Sequence, residues 1–226
     1  MVLDEQLVRY AKDLAQVYAA REAAEAAWAE TLIQLLEARL PILRGHHRRV
    51  AYWADHLNQA LHRPLPPRVL VRAARLHDVG FLAIPDRVID AWVQAVSENR
   101  QPPEAVRKRF LSHASIGAEI LSALPEFQDA AAWIRFHHEA WNGQGGPAGL
   151  KGEAIPLGAR VLAVAEAFDY LTHLQKRLSL PAARERLAEL AGRRLDPGLA
   201  ETFLELPLES LLQNYLWLEA HEGPGD

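Results

Sequence analysis

Apolar residues recur along this chain with helical period. Leu7, Leu14, Trp28 and Leu35 stand seven or fourteen residues apart, and Leu3, Tyr10, Val17 and Ala24 fill the complementary seam of a heptad repeat. That spacing predicts one long helix over about residues 3–40, which Pro41 and Gly45 end. Its first half reads as a dimerising coiled coil or, equally, as a helix lying along the body, with Arg21 interrupting the seam. Its second half, where the apolar face widens to Leu32, Ile33, Leu36 and Leu40, reads as docked on a domain.

The helical period continues beyond residue 46. Val50, Trp53, Ala54, Leu57 and Leu61 form one face, and Val69, Leu70, Ala73, Ala74 and Leu76 another. Further faces run through Ile116, Ile120, Leu121 and Leu124, through Ala130, Trp133 and Ile134, and through Val161, Val164, Ala165, Phe168 and Leu171. No stretch alternates with period two over strand length, and β-branched residues are scarce beside Ala and Leu, so the expected class is all-α. The exception to the helical texture is the glycine-rich run 141–156, a loop long enough to imply function or motion. The expected organisation is a helix over 1–43, a domain over 44–206 and a helix with a frayed tail over 207–226. Trp53, Trp92, Trp133 and Trp217 read as core, and Trp141 as the rim of a pocket.

Composition narrows the chemistry. The chain has 226 residues, no cysteine and ten histidines, so a metal would be held by imidazole and carboxylate, and thiolate sites and disulfides are excluded. A net charge of −4 gives no reason to expect a nucleic-acid polymer as partner. No apolar run approaches a membrane span and the N-terminus lacks the pattern of a signal peptide, so the expected location is cytoplasmic, away from the membrane.

The histidines cluster at predicted helix ends. His46 opens one helix, His77-Asp78 closes another before Gly80, His113 opens a third, and His137-His138-Glu139 closes a fourth before the glycine-rich loop. At helix ends adjacent side chains can turn toward one point more easily than in mid-helix. Glu166 or Asp169 from the next helix would complete a two-metal site with Asp78 as the bridge. Such a site activates water between two cations and clamps a phosphate for in-line displacement, and its donors suit iron, manganese or zinc. Between residues 42 and 77 seven arginines (44, 48, 49, 63, 68, 72 and 75) face the single acid Asp55, a surface expected to be solvated or ion-paired.

These motifs occur in a set order: His46-x-x-Arg49-Val50, Leu76-His77-Asp78-Val79-Gly80, His113-x-x-Ile116-Gly117, His137-His138-Glu139-x-Trp141-x-Gly143-x-Gly145, and Val164-Ala165-x-x-Phe168-Asp169. Over about residues 44–206 the chain resembles the HD-GYP family, a branch of the HD superfamily of metal-dependent phosphohydrolases. The resemblance implies a helical domain that hydrolyses cyclic di-GMP with two divalent metals, iron or manganese foremost and zinc as an alternative. It implies His46, His77, Asp78 and Glu166 around one metal, and Asp78, His113, His137 and His138 around the other, with His77 and Asp78 as catalytic residues. Asp169 and Glu139 would support these ligands, and Arg49, Gly145, Gly146, Lys176 and Arg177 would meet substrate. The remaining histidines, His47, His56, His62, His173 and His221, are expected at the surface or in packing.

The sequence departs from the family in five places, one of them the run Gln175-Lys176-Arg177-Leu178, where the family usually has an Arg-Pro-Tyr-Arg-like stretch that contacts phosphate. Glu166 replaces an aspartate, and Ile42 stands where trinuclear members have a glutamate, which argues against a third metal. Phe81 stands where a lysine reaches the phosphate, and Gly146 where the signature tyrosine stands. If electrostatic clamping is what the chain lacks, Phe81→Lys should raise activity. Three functions fit: a cyclic di-GMP phosphodiesterase, a phosphohydrolase acting on another phosphate ester, and a non-catalytic metal-binding signalling module. A homodimer through the first helix is expected. Because that helix begins at Met1, its input signal is expected to come from a separate protein or to be absent.

Overall fold

The computed structural model describes residues 2–98, 100–174 and 177–222, with the side chains of 2–5, 96, 97, 126 and 222 left aside. Among these residues the fold is all-α, with no strand beyond one isolated bridge between Ala191 and Leu195. The helices are α1 (Val2–Arg39), α2 (His46–Ala60), α3 (Pro67–Leu76), α4 (Asp86–Ser97), α5 (Glu104–Leu111), α6 (His113–Ser122), α7 (Gln128–Phe136), α8 (Leu157–Asp169), α9 (Leu180–Leu190), α10 (Pro197–Glu205) and α11 (Leu208–Glu222). The tail residues 223–226 lie outside the described residues.

The α2 helix is the centre of the domain. It packs on α3, α8 and α10, because Val50, Trp53, Ala54 and Leu57 form a face that water does not reach. Trp53 meets Phe168 of α8 and Phe203 of α10 edge-on, with ring centroids 5.0 and 6.1 Å apart. Close helix contact also depends on glycine: a Cβ on Gly158 would fall 2.1 Å from the Trp133 ring, so a side chain there would push α8 away from α7. Trp92 stacks on Phe110, but Trp217 is exposed, contrary to its expected place in the core, since α11 turns that face to solvent.

The long first helix is docked over its second half only. Ala29, Ile33 and Leu36 are buried against the body. Flanking them is a row of ion pairs: Glu22 with Arg68, Glu25 with Arg72 (2.8 Å), and Glu30 with Arg48 (2.7 Å) and Arg75. Four of the seven arginines between residues 42 and 77, Arg48, Arg68, Arg72 and Arg75, thus find their partners on α1, in line with the expectation of an ion-paired surface. In the first half, Leu7, Val8, Tyr10, Leu14, Val17 and Tyr18 are between 41% and 66% exposed.

Candidate metal centre

The fold delivers histidines at helix ends, where their sequence positions placed them. His46 is the first residue of α2, His77 caps the end of α3, His113 is the first residue of α6, and His137 caps the end of α7 with His138 following. Glu166 and Asp169 lie in the last turn of α8. One close approach sets the assembly: a Cβ on Gly80 would lie 2.0 Å from the His113 carbonyl oxygen and 2.6 Å from the Gly117 nitrogen. Only glycine lets the turn after Asp78 press against α6, and that contact brings His113 to the carboxylate.

Asp78 sits between two sets of imidazoles. Its Oδ1 is 3.1 Å from His113 Nε2, while its Oδ2 is 3.4 Å from His77 Nε2, 3.5 Å from His47 Nε2 and 3.6 Å from His46 Nε2. Three groups have ligand atoms close enough to share an ion: His46, His77 and Asp78; His113, His137 and His138; and His77, His137 and Glu166. Glu166 therefore stands with His77 and His137, between the two expected metal positions, and not in the group that contains His46.

The tautomers follow from the outer hydrogen bonds. The Nδ1–H groups of His77, His113 and His137 each donate to the backbone carbonyl three residues earlier, of Ala74 (2.7 Å), Phe110 (2.8 Å) and Ile134 (2.6 Å). His46 Nδ1 donates to Asp169 Oδ2 at 2.7 Å. Each of these rings thus turns an Nε2 lone pair inward, the arrangement of metal-bound histidine. His113 Nε2 lies 3.2 Å from His138 Nε2 as well as beside Asp78, so lone pairs converge on one space. His77 Nε2, His137 Nε2, His138 Nδ1 and both nitrogens of His47 are buried without a hydrogen-bond partner. Burial of an unpaired polar atom costs about 1–3 kcal/mol. Cations among these atoms would relieve that cost, so the donor set fits divalent metals that accept nitrogen and oxygen.

Electrostatics agree with this reading. Burial pushes the Asp78 carboxyl up, yet the imidazoles of His77, His113 and His47 around it hold it well below the usual carboxylate range. Burial lowers His77 and His138 well below the ordinary histidine value, and burial together with neighbouring His113 takes His137 to about 4. These imidazoles are neutral, as ligands must be. Burial and the negative charge of Asp78 raise Glu166 to about 8, offset in part by Arg194.

Supporting residues lie around the centre. Asp169 is fully buried and receives His46, the Arg49 guanidinium (Nε to Oδ1, 2.5 Å) and His173 (3.1 Å). Burial pushes its carboxyl up, but hydrogen bonds from His173, His46 and Arg49 hold it far below the usual range. Arg49, expected at the substrate, is thereby buried in an ion pair, and its guanidinium also donates to the Arg44 carbonyl. Glu139 organises the glycine-rich loop: its carboxylate accepts the backbone N–H groups of Ala148 (2.5 Å), Gly149 (3.1 Å) and Leu150 (3.0 Å). Gly145 has no room for a side chain, because a Cβ would meet the Ala140 nitrogen at 2.2 Å, whereas Gly146 faces open space. Trp141 is half-buried beside the loop under the Arg160 guanidinium, and its backbone N–H donates to the Arg194 carbonyl. Arg177 is exposed, and Lys176 lies outside the described residues.

Two further departures are physical. Phe81 is 4% exposed, stacks on the His113 ring with centroids 3.8 Å apart, and packs with Leu36, Ile84, Val88 and Ile89. His47, expected at the surface or in packing, is completely buried beside Asp78. His173 and Arg194 were likewise missed. The adjacent His46-His47 pair was the available signal for His47. Nothing local marks His173, and Arg194 comes near only through the turn after α9.

Comparison with known proteins places these residues in context. The HD domain profile matches residues 30–199. The cyclic di-GMP phosphodiesterase response regulator RpfG of Xanthomonas campestris is 38% identical over 163 residues, covering 69% of this chain and 41% of that protein. A cyclic di-GMP phosphodiesterase of Thermotoga maritima is 34% identical, covering 61% of this chain and 37% of that protein. The chain thus spans well under half the length of these curated relatives. The crystal structure of a cyclic GMP-AMP specific phosphodiesterase of Vibrio cholerae shares the fold, with a TM-score of 0.60 at 24% identity, over 84% of this chain and 50% of that one. The match runs from the docked half of α1 to α10 and encloses every histidine of the centre: the chain belongs to the HD domain family.

Proposed function

We propose that the protein is a metal-dependent phosphodiesterase of HD-GYP type that hydrolyses a cyclic dinucleotide, with cyclic di-GMP as first candidate. The observation that carries the proposal is Asp78, one buried carboxylate with imidazoles converging on both of its oxygens. His46, His77 and Asp78 would hold one divalent cation, and Asp78, His113, His137 and His138 a second, with Glu166 between them. Iron or manganese, with zinc as the alternative, would lower the pKa of water and neutralise phosphate charge. The protein's own part is to fix these donors: Asp169 and three backbone carbonyls set the rings, and Glu139 shapes the adjacent loop. Gly145, Gly146, Arg177 and Lys176 remain the proposed substrate side. The relatives' names, cyclic di-GMP and 3'3'-cGAMP phosphodiesterases, support this substrate class. A cytoplasmic location is part of the same proposal, and no described helix is long and apolar enough to cross a membrane.

Purified protein loaded anaerobically with manganese or iron should convert cyclic di-GMP to a linear dinucleotide or GMP. A specific observation favours a second reading: Phe81 and Gly146 stand where the resemblance implies a lysine and a tyrosine toward the substrate, and Arg49 is engaged by Asp169. Turnover of generic phosphodiesters without turnover of cyclic di-GMP would select a different phosphate ester. Full metal occupancy with no hydrolysis of any ester would sink both and leave the signalling module.

We infer also that the free half of α1 pairs with a second copy, on the strength of Leu7, Tyr10, Leu14 and Val17 exposed at heptad spacing. In analytical ultracentrifugation the wild type should sediment as a dimer and the Leu14→Glu, Val17→Glu double variant as a monomer. A wild-type monomer at high concentration would disprove the pairing.

A further inference from the structure

We propose that His47 is an additional metal ligand at this centre, on the same side of Asp78 as His46 and His77, and that Glu37 in the last turn of α1 positions it. The proposal rests on the reading of the site as a metal centre. It adds a residue that the ordered motifs do not include.

Three observations converge on it. First, the His47 side chain has 0% exposure, and neither ring nitrogen has a hydrogen-bond partner. A histidine used only to fill space would leave two polar atoms unpaired where leucine would leave none. Second, its Nε2 is 3.5 Å from Asp78 Oδ2, between the 3.4 Å of His77 and the 3.6 Å of His46. The three rings surround that oxygen in a nearly equilateral triangle, with centroids 5.3, 5.2 and 5.6 Å apart. In its distance to Asp78 Oδ2, His47 matches the other two.

Third, the far side of the ring follows the same pattern. His46 turns Nδ1 to Asp169, His77 turns it to the Ala74 carbonyl, and His47 turns it to Glu37 Oε1 at 3.7 Å. Metal-bound histidines have such an oxygen behind them, which selects the tautomer and aims the ring. Glu37 is itself fixed. It accepts the Gly45 N–H at 3.0 Å, and two residues later Arg39 donates to the carbonyls of Phe81, Leu82 and Ile84, the last three at 2.7, 2.7 and 2.5 Å. Gly45, in left-handed conformation with φ of 71°, starts α2 so that both residues 46 and 47 point inward. The last turn of α1 is therefore part of the centre.

The test is divalent-metal binding to chelator-stripped protein by calorimetry, with cobalt(II) absorption as the report on donors. Wild type should bind two ions per chain. His47→Gln, which keeps a polar side chain of similar size, should weaken one of the two by ~100-fold or more and alter the cobalt spectrum at saturation. Glu37→Gln keeps an acceptor for Gly45 but removes the charge behind the ring, and it should weaken the same ion by ~10-fold, as loss of an outer partner does. Because Glu37 is only half-buried, this variant keeps the test open if His47→Gln does not fold. Two ions with unchanged affinity in both variants would overturn the proposal while leaving the metal centre intact. So would a saturated His47→Gln spectrum identical to wild type, because His47 would then be an ion-paired imidazolium between Glu37 and Asp78. If wild type itself binds no metal, the proposal falls together with the reading it rests on.

Discussion

Asp78→Asn is expected to abolish hydrolysis and to reduce bound metal from two ions per chain to fewer than one. The substitution keeps the shape of the side chain and removes only the charge that both groups of imidazoles share. Oδ1 lies 3.1 Å from His113 Nε2, and Oδ2 lies 3.4 to 3.6 Å from His77, His47 and His46. An amide can offer one oxygen to one side but cannot bridge, so both positions weaken together, unlike the loss of any single imidazole. Thermal melting with and without chelator separates this from misfolding. A ligand that binds only the folded state stabilises it by about 2.7 kcal/mol at a hundredfold excess over Kd. Wild type should show that gain on adding manganese, and Asp78→Asn should melt at one temperature with or without metal. An Asp78→Asn protein that binds two ions with wild-type affinity would show that Asp78 is not the bridge.

Metal affinity should also follow pH in a fixed direction. The neutral imidazoles of His77, His137 and His138 are the binding form, and acid that protonates them competes with the cation. Their folded values are depressed by burial, so this competition begins only at pH below the ordinary histidine range. In the metal-free protein Glu166, raised to about 8, carries a proton at neutral pH that a cation must displace.

Much of this centre was legible in the chain because its candidate ligands sit at helix ends, and helix ends are marked by glycine, proline and breaks in apolar period. His77-Asp78 before Gly80 and His137-His138 before the glycine run are positions where period stops and polar residues begin. The helices themselves were legible for the same reason: Val50, Trp53, Ala54 and Leu57 are buried together because they share one face. Residue 47 was not legible. One step along a helix turns a side chain by roughly 100°, so a reading by face assigns His46 and His47 to different surroundings. Only the docking of α1, which brings Glu37 over the start of α2, closes the second surface and buries His47. Arg49 failed for a related reason. Its spacing from His46 places it at the centre, but spacing does not reveal that Asp169, one turn beyond Glu166 on α8, reaches the guanidinium before any phosphate can. Long-range ion pairs depend on how two helices cross, and neither helix encodes that alone.

Phe81→Lys is expected to destabilise the protein by several kcal/mol and to give no gain in hydrolysis, the reverse of what the family resemblance implies. The family resemblance implies, at residue 81 just beyond the His77-Asp78-Val79-Gly80 run, a lysine that reaches the phosphate. In the structure the Phe81 ring is an apolar wall, stacked on His113 and touching Phe110, Leu36, Ile84, Val88 and Ile89. Removing it forfeits about 1.5–3 kcal/mol of apolar burial. Placing an ammonium in that space adds a desolvation penalty of several kcal/mol, because the carboxylate within reach, Asp78, is already surrounded by imidazoles. Total stability of such a domain is about 5–15 kcal/mol, so a large fraction is lost. The stacked ring also holds His113 against Asp78, and a flexible side chain would release it. Thermal melting and cyclic di-GMP hydrolysis, measured on the same preparation, decide the matter. An unchanged melting temperature with a faster rate would show that a lysine at 81 extends past His113 to the phosphate, and that the apolar wall is dispensable.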